Sequence, residues 1–232
     1  MPSDFFRELT IFHEEQAIAQ RYFFSYLTIR DKAVEDKELL AVIKSNPWFL
    51  TTVDHSLLLA TFIALGRIFD QDSPHNIDRL MSAVSANIRE FSLAALEARL
   101  LSKGCSAEEV ARYLKHAHEL TANDVRKLRK KVADWRRVYK ENYKDIRHNV
   151  FAHKQLSASD KINALFAKTK VDELKKLFHF LNSLYLALFA SYINGIAVKL
   201  DSYDPNWFVG EQVRLEGEKV LKLIVEGARV AR

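Results

Sequence analysis

The chain has 232 residues, of which 48% are hydrophobic and 28% charged, with a net charge of +5; this excludes a disordered chain and provides for one sizeable core. Six glycines and four prolines are too few for the frequent turns of an all-β protein, so the long charged and apolar runs predict an all-α fold. The single cysteine, Cys105, excludes an internal disulfide and has no Cys or His at metal-ligand spacing, which points to a reducing, cytoplasmic setting with no bound metal.

The first residues, MPSDFFRELTIF, lack the basic start, apolar run and small-residue cleavage site of a secretory signal. They open a predicted helix over 4–30, whose QRYFFSYL stretch reads as core rather than as a base-stacking surface. Helices follow over 36–44, 47–70, 74–101, 107–120, 122–154, 171–200 and 205–231. Asn46, Ser73 and Asp204 each precede a proline, placing a capping side chain ahead of a residue tolerated at the first helical position. Ser106 with Glu109 is a capping box, and Thr121 with Asp124 a weaker one. DQDSPHNID, residues 70–78, lacks the glycine and terminal glutamate of a calcium loop and reads as a turn. His116 and His118 point to different faces of a helix, and His13, His55 and His179 stand alone, so none of them predicts a metal site. Residues 180–198 run without a charge for about the length that spans a bilayer. Asn182, Ser183, Ser191 and Asn194 would be costly in lipid, so the run predicts a central bundle helix and no membrane. No repeat, glycine-rich phosphate loop or local Ser-His-Asp pattern is present. Residues 1–200 are expected to form an antiparallel helical bundle, and 201–232 an extra C-terminal helix that packs on it or on a second subunit.

The helix from Ala122 carries the most information. Val125, Leu128, Val132, Trp135, Tyr139, Asn142, Ile146 and Asn149 recur at steps of three and four, which predicts one buried stripe that His153 continues. Its far end is polar, so it either opens into a cleft or holds a hydrogen-bond network. Residues 126–147 hold ten Lys and Arg against three acids, a net +7 in a chain of +5. A positive stripe of this kind suits a polyanion such as RNA, with Lys130, Arg136, Arg137, Lys140 and Lys144 as the candidate phosphate contacts. The alternative is a solvated helix face balanced by acids elsewhere.

This helix runs into RHNVFAH, residues 147–153. Arg147 and His153 are six residues apart, about 120° around an ideal helix and about 9 Å along it, so a shared site is allowed but not required by spacing. The stretch resembles the signature of the HEPN superfamily: an arginine, a short gap opened by a polar residue, and a histidine. Together with TFIALGRIFDQDSPHNIDRL, residues 61–80, it is similar to the AbiU type linked to abortive phage infection. The likeness runs from the first helix to about Leu200. IRDKAVED, from Ile29, starts in a similar way but has no histidine at the right distance, and reads as a charged helix end.

The resemblance implies an all-α bundle of HEPN type and a metal-independent endoribonuclease, a toxin or defence effector needing no cofactor. Such proteins are usually homodimers whose two motifs face one cleft, and some answer to an antitoxin protein. His153 would then serve as general acid or base, Arg147 would stabilise charge on the phosphate, and His148 would support the pair. From spacing, Asn149, one turn before His153, is placed to orient its ring. The chemistry suits the residues: histidine moves protons near neutral pH, and guanidinium matches phosphate oxygens. Many HEPN motifs carry Asn or Asp where this chain has His148. Two rivals stay open: a non-catalytic module of the same fold that binds nucleic acid or protein, and a structural bundle in which Asn149 and His153 satisfy each other in the core.

Overall fold

The computed structural model describes residues 4–146, 170–204 and 211–230. These form nine α-helices and one short 3-10 helix, with no strand among the described residues. The helices are α1 (Asp4–Glu35), α2 (Lys37–Ser45), α3 (Pro47–Phe69), α4 (Ile77–Ala86), α5 (Leu93–Ser102), α6 (Ala107–Leu114), α7 (Ala122–Asn142), α8 (Val171–Asn194) and α9 (Glu211–Val230); the 3-10 turn is Ile88–Phe91.

Side-chain pairs give the packing directions. Glu15 bonds Arg67 at 2.7 Å and Arg30 bonds Asp54 at 3.1 Å, so α1 and α3 run antiparallel. Along α1 and α8, His13 stacks on Tyr185 with ring centroids 4.0 Å apart, and Phe23 meets Phe178 at 5.1 Å, again antiparallel. α1 is thus the central helix, and Phe5, Leu9, Phe12, Phe23 and Phe24 are buried along it. The core continues through Phe62, Leu65 and Phe69 of α3 and Leu177, Leu181, Leu184 and Leu188 of α8. Each such side chain contributes about 1.5–3 kcal/mol relative to exposure.

Several element boundaries depart from the sequence reading. The helix expected over 74–101 is broken twice. Asn76, not Ser73, caps α4, accepting from the backbone N–H of Asp78 and of Arg79 at 3.0 Å each. Its amide also donates to the Gln71 and Ser73 carbonyls at 3.1 and 2.8 Å, closing a turn that includes Pro74. Ser92 then caps α5. Asn46 precedes α3 without a side-chain cap bond. The two capping boxes, at Ser106 and Thr121, are both complete. α6 stops at Leu114, and α8 stops at Asn194, where Gly195 turns to φ +58°.

The charge-free run over 180–198 is therefore broken at Gly195, and Leu181, Leu184 and Leu188 sit in the core. The one helix among the described residues that is long and apolar enough to cross a membrane is α3. Its second half, from Leu58 to Phe69, supplies core, while Trp48 and Phe49 at its start are exposed. α9 packs on α1 and α2: Leu221 and Val225 are buried with Leu39 beside Ile29 and Ile43, Glu218 pairs with Lys32 at 3.4 Å, and Arg229 pairs with Glu38.

Candidate nucleic-acid interface

The candidate site begins on α7. Thr121 and Asp124 fix its start: the Thr121 hydroxyl donates to Asp124 at 2.6 Å and accepts from the Asp124 N–H at 3.2 Å. That hydroxyl bond holds the Asp124 carboxyl below its ordinary value, and His118, 3.3 Å away, adds to the effect. From there Val125, Leu128, Val132 and Tyr139 are buried as the spacing predicts, with Trp135 half-buried against Phe180 at 5.7 Å.

The stripe then departs from the expectation. The next buried residues are Tyr143 and Ile146, while Asn142 is exposed. The seam stays apolar and aromatic one turn longer because α7 ends at Asn142, Tyr143 takes a non-helical backbone, and helical backbone resumes at Lys144. Phe62 stacks on Tyr143 at 5.7 Å and Phe69 on Tyr139 at 5.1 Å, so α3 packs against both tyrosines.

One carboxylate fastens this end of α7 to the start of α8. The Tyr143 hydroxyl donates to Glu173 Oε1 at 2.6 Å, and Asn142 Nδ2 donates to the same oxygen at 2.8 Å. Burial, and then the hydrogen bond to Glu173 and its charge, push the Tyr143 phenol well above its ordinary value, so it remains a donor. Burial alone raises Tyr139, whose hydroxyl has no hydrogen-bond partner among the described residues.

The basic residues of α7 divide into two groups. At 100° per residue, Arg126, Arg129, Lys130, Arg136, Arg137 and Lys140 fall within a sector of about 120° that contains no acid. Arg129 and Arg136 turn inward from it onto α4. Arg129 donates to the Met81 carbonyl at 3.0 Å and the Ser85 hydroxyl at 3.1 Å, and Arg136 pairs with Asp78 at 2.6 Å. Arg136, a candidate phosphate contact by sequence, is thus already bonded within the fold. Lys130, Arg137 and Lys140 are exposed, and Lys144 is half-buried.

Lys140 and Lys144 line a cavity of about 730 Å³ with Arg136, Tyr139 and the α3–α4 turn over residues 69–75. Two contacts set its walls: the ion pair of Arg67 with Glu15 at 2.7 Å, and the hydrogen bonding of His75 Nδ1 with both oxygens of buried Glu8 at 3.1 Å. Asn76 holds the turn itself. Two separate stretches singled out in the sequence, DQDSPHNID and the basic helix, therefore meet at one cavity. Among the described residues no three His, Cys, Asp or Glu side chains gather as a metal-ligand set.

Arg147, His148, Asn149 and His153 lie outside the described residues. What the fold provides for them is a point of departure: Ile146, directly before Arg147, is buried, and Lys144 beside it faces the cavity. Sequence reasoning missed Tyr143 and Glu173. The local signal for Tyr143 was its four-residue step from Tyr139, in competition with the three-residue step to Asn142. Glu173 left no local signal, because its partners are 30 and 31 residues away.

The family model for AbiU2 matches residues 4–206, from the first turn of α1 to beyond the end of α8, and leaves α9 out. No curated protein and no solved structure matches the chain. An all-helical fold, a basic helix leading into RHNVFAH, and a match covering both stretches at the cavity together show that the chain belongs to the HEPN AbiU2 family.

Proposed function

We propose that the protein is a metal-independent endoribonuclease acting as a toxin or phage-defence effector. In this reading two copies bring their motifs to one cleft. The observation that carries it is that the basic helix which leads in sequence into RHNVFAH lines a cavity through Lys140, with Lys144 just beyond its end, in a member of the HEPN AbiU2 family.

The chemistry assigned to the residues is a transesterification within RNA. The ribose 2′-oxygen attacks the adjacent phosphorus, the bond to the 5′-oxygen breaks, and the products are a 2′,3′-cyclic phosphate and a 5′-hydroxyl. His153 transfers the proton, as base toward the 2′-hydroxyl or as acid toward the leaving oxygen. Arg147 donates to the phosphate oxygens, where charge grows in the transition state. His148 and Asn149 support the pair. Lys130, Arg137, Lys140 and Lys144 hold neighbouring phosphates; Arg136 contributes by keeping α7 on α4. A second reading, a binding module of the same fold without cleavage, is favoured by one feature: His148 replaces the Asn or Asp that follows the arginine in many HEPN motifs.

The test is incubation of purified protein with a pool of structured RNAs in excess EDTA. Wild type is expected to yield cyclic-phosphate ends, while Arg147→Ala and His153→Ala, at matched folding, leave RNA whole. Lys140→Ala with Lys144→Ala is expected to retain the fold but weaken RNA retention. The slope of log affinity against log salt should decrease by about 1.4 for two lost contacts to a single strand. Retention of RNA without cleavage by wild type would leave the binding module as the function.

A further inference from the structure

α9 has two apolar faces, and the bundle covers only one. Leu221 and Val225 are buried against α1 and α2. Val220, Leu223, Ile224 and Val230 lie on the far side, exposed at 55%, 65%, 37% and 90%. With Gly227 they follow at three- and four-residue steps, the spacing of a continuous helical face. A side chain added at Gly227 would meet nothing within 4 Å, so this face is open at that point as well. Single exposed apolar residues are ordinary, but a stripe of this periodicity is the seam of a helix pair.

Charges beside the seam select the partner and its direction. Lys219 and Glu226 flank the stripe on one edge, seven residues apart, and both are exposed. In a parallel pair, Lys219 would meet the opposite edge, which carries Gly217 and Ile224, so no charge pair would form. In an antiparallel pair the same edges meet across a two-fold axis. Lys219 then lies against Glu226 of the partner subunit, and the axis repeats the pair. The same register sets Val220 against Leu223 of the partner subunit. It also places Glu216, held by a 2.5 Å bond from Gln212, opposite the partner's Gly227, where the absent side chain leaves room.

We infer that α9 is a self-association helix: two copies of the chain pair antiparallel through Val220, Leu223, Ile224 and Val230, with two Lys219–Glu226 ion pairs across the axis. The inference does not rest on the ribonuclease reading. α9 also lies outside residues 4–206, so it is separate from what the family match covers.

Sedimentation velocity of the full chain over a concentration series tests it. Leu223→Glu with Ile224→Glu is expected to weaken self-association at least 100-fold and to leave the melting curve unchanged at concentrations where wild type is itself monomeric, since both side chains are exposed in the single chain. Lys219→Glu alone and Glu226→Lys alone are each expected to weaken it about tenfold, each setting like charges together twice. An equimolar mixture of these two variants should recover wild-type association, because each chain then meets the opposite charge at both positions. Wild type and the Leu223→Glu, Ile224→Glu variant having the same mass at every concentration would overturn the inference, even if the chain pairs through another surface. A mixture that stays as weak as its components would overturn the antiparallel register.

Discussion

Tyr139 and Tyr143 lie one turn apart and both are buried, yet their hydroxyls stand in opposite circumstances. Tyr143 donates to the Glu173 carboxylate; Tyr139 has no partner among the described residues. A hydrogen bond to a charged acceptor contributes about 1.5–3 kcal/mol net, whereas an unpaired buried hydroxyl carries a desolvation cost. Tyr143→Phe is therefore expected to destabilise by about that amount, and Tyr139→Phe to be neutral or stabilising by up to about 1 kcal/mol. Urea denaturation midpoints distinguish the two. His13 makes a second prediction at this scale. Burial holds its imidazole below the ordinary 6.5, with Glu14 acting against this and Arg21 with it. The neutral ring stacks on Tyr185 and accepts from Gln16 Nε2 at 3.2 Å, while Gln16 in turn accepts from Gln20. Because the folded value lies below the unfolded one, the unfolded chain takes up a proton that the folded chain refuses. The His13 contribution is complete above about pH 6.5 and is lost as pH falls through the folded value. Melting temperature should decrease from pH 7.5 to 5.5, and His13→Phe, which keeps the stack, should reduce that decrease. His179, also lowered by burial, accounts for part of what remains.

At the scale of elements, local chemistry was legible wherever both partners lie within one turn. The capping boxes at Ser106 and Thr121 form as written, and Pro47 starts a helix. The start of α4 was not legible, because Ser73–Pro74 and Asn76 are both adequate starts and the turn contacts of Asn76 choose between them. The end of α7 followed the same logic: continuing the stripe through Asn142 costs nothing locally, and only Phe62 and Glu173, from other helices, select Tyr143. Gly195 ends α8 for a reason that spacing alone does not reveal. At φ +58° it carries the turn, its carbonyl accepts from the His118 N–H at 2.6 Å, and an added Cβ would come within 2.6 Å of Leu96 Cδ2 and 3.0 Å of Ala117 Cβ. Leucine can move its end methyl; Ala117 has no such freedom. Gly195→Ala is expected to cost about 1–2 kcal/mol, read as a lower urea midpoint with helix content unchanged.

For the molecule as a whole, composition alone carried the all-α class, because few glycines and prolines leave no supply of turns for a sheet. Segment 180–198 was read as a bundle helix on its polar residues, and the structure buries Leu181, Leu184 and Leu188 there but ends the helix at Asn194 and exposes Ile196. The helix with membrane-like length and hydropathy, α3, went unremarked because Asp54, His55 and Arg67 interrupt it in the sequence. The candidate site was half legible: the basic helix and the 70–78 turn were visible as separate stretches, but their meeting at one cavity is a product of packing. α9 caps a small cluster distinct from the main core. Deleting residues 205–232 should therefore leave one cooperative melting transition. Loss of buried Leu221 and Val225 should lower its midpoint by on the order of 10 °C.

The bonds to Glu173 also bear on which part of the chain can change in length. Asn142 and Tyr143 are joined to a residue 30 to 31 positions away, so the intervening chain, which contains RHNVFAH, departs from and returns to one point of the core. The entropy of closing such a stretch grows only with the logarithm of its length, about 0.6 kcal/mol for each doubling. One carboxylate, Glu173, therefore sets the spacing between the two ends of that stretch, whatever its own length.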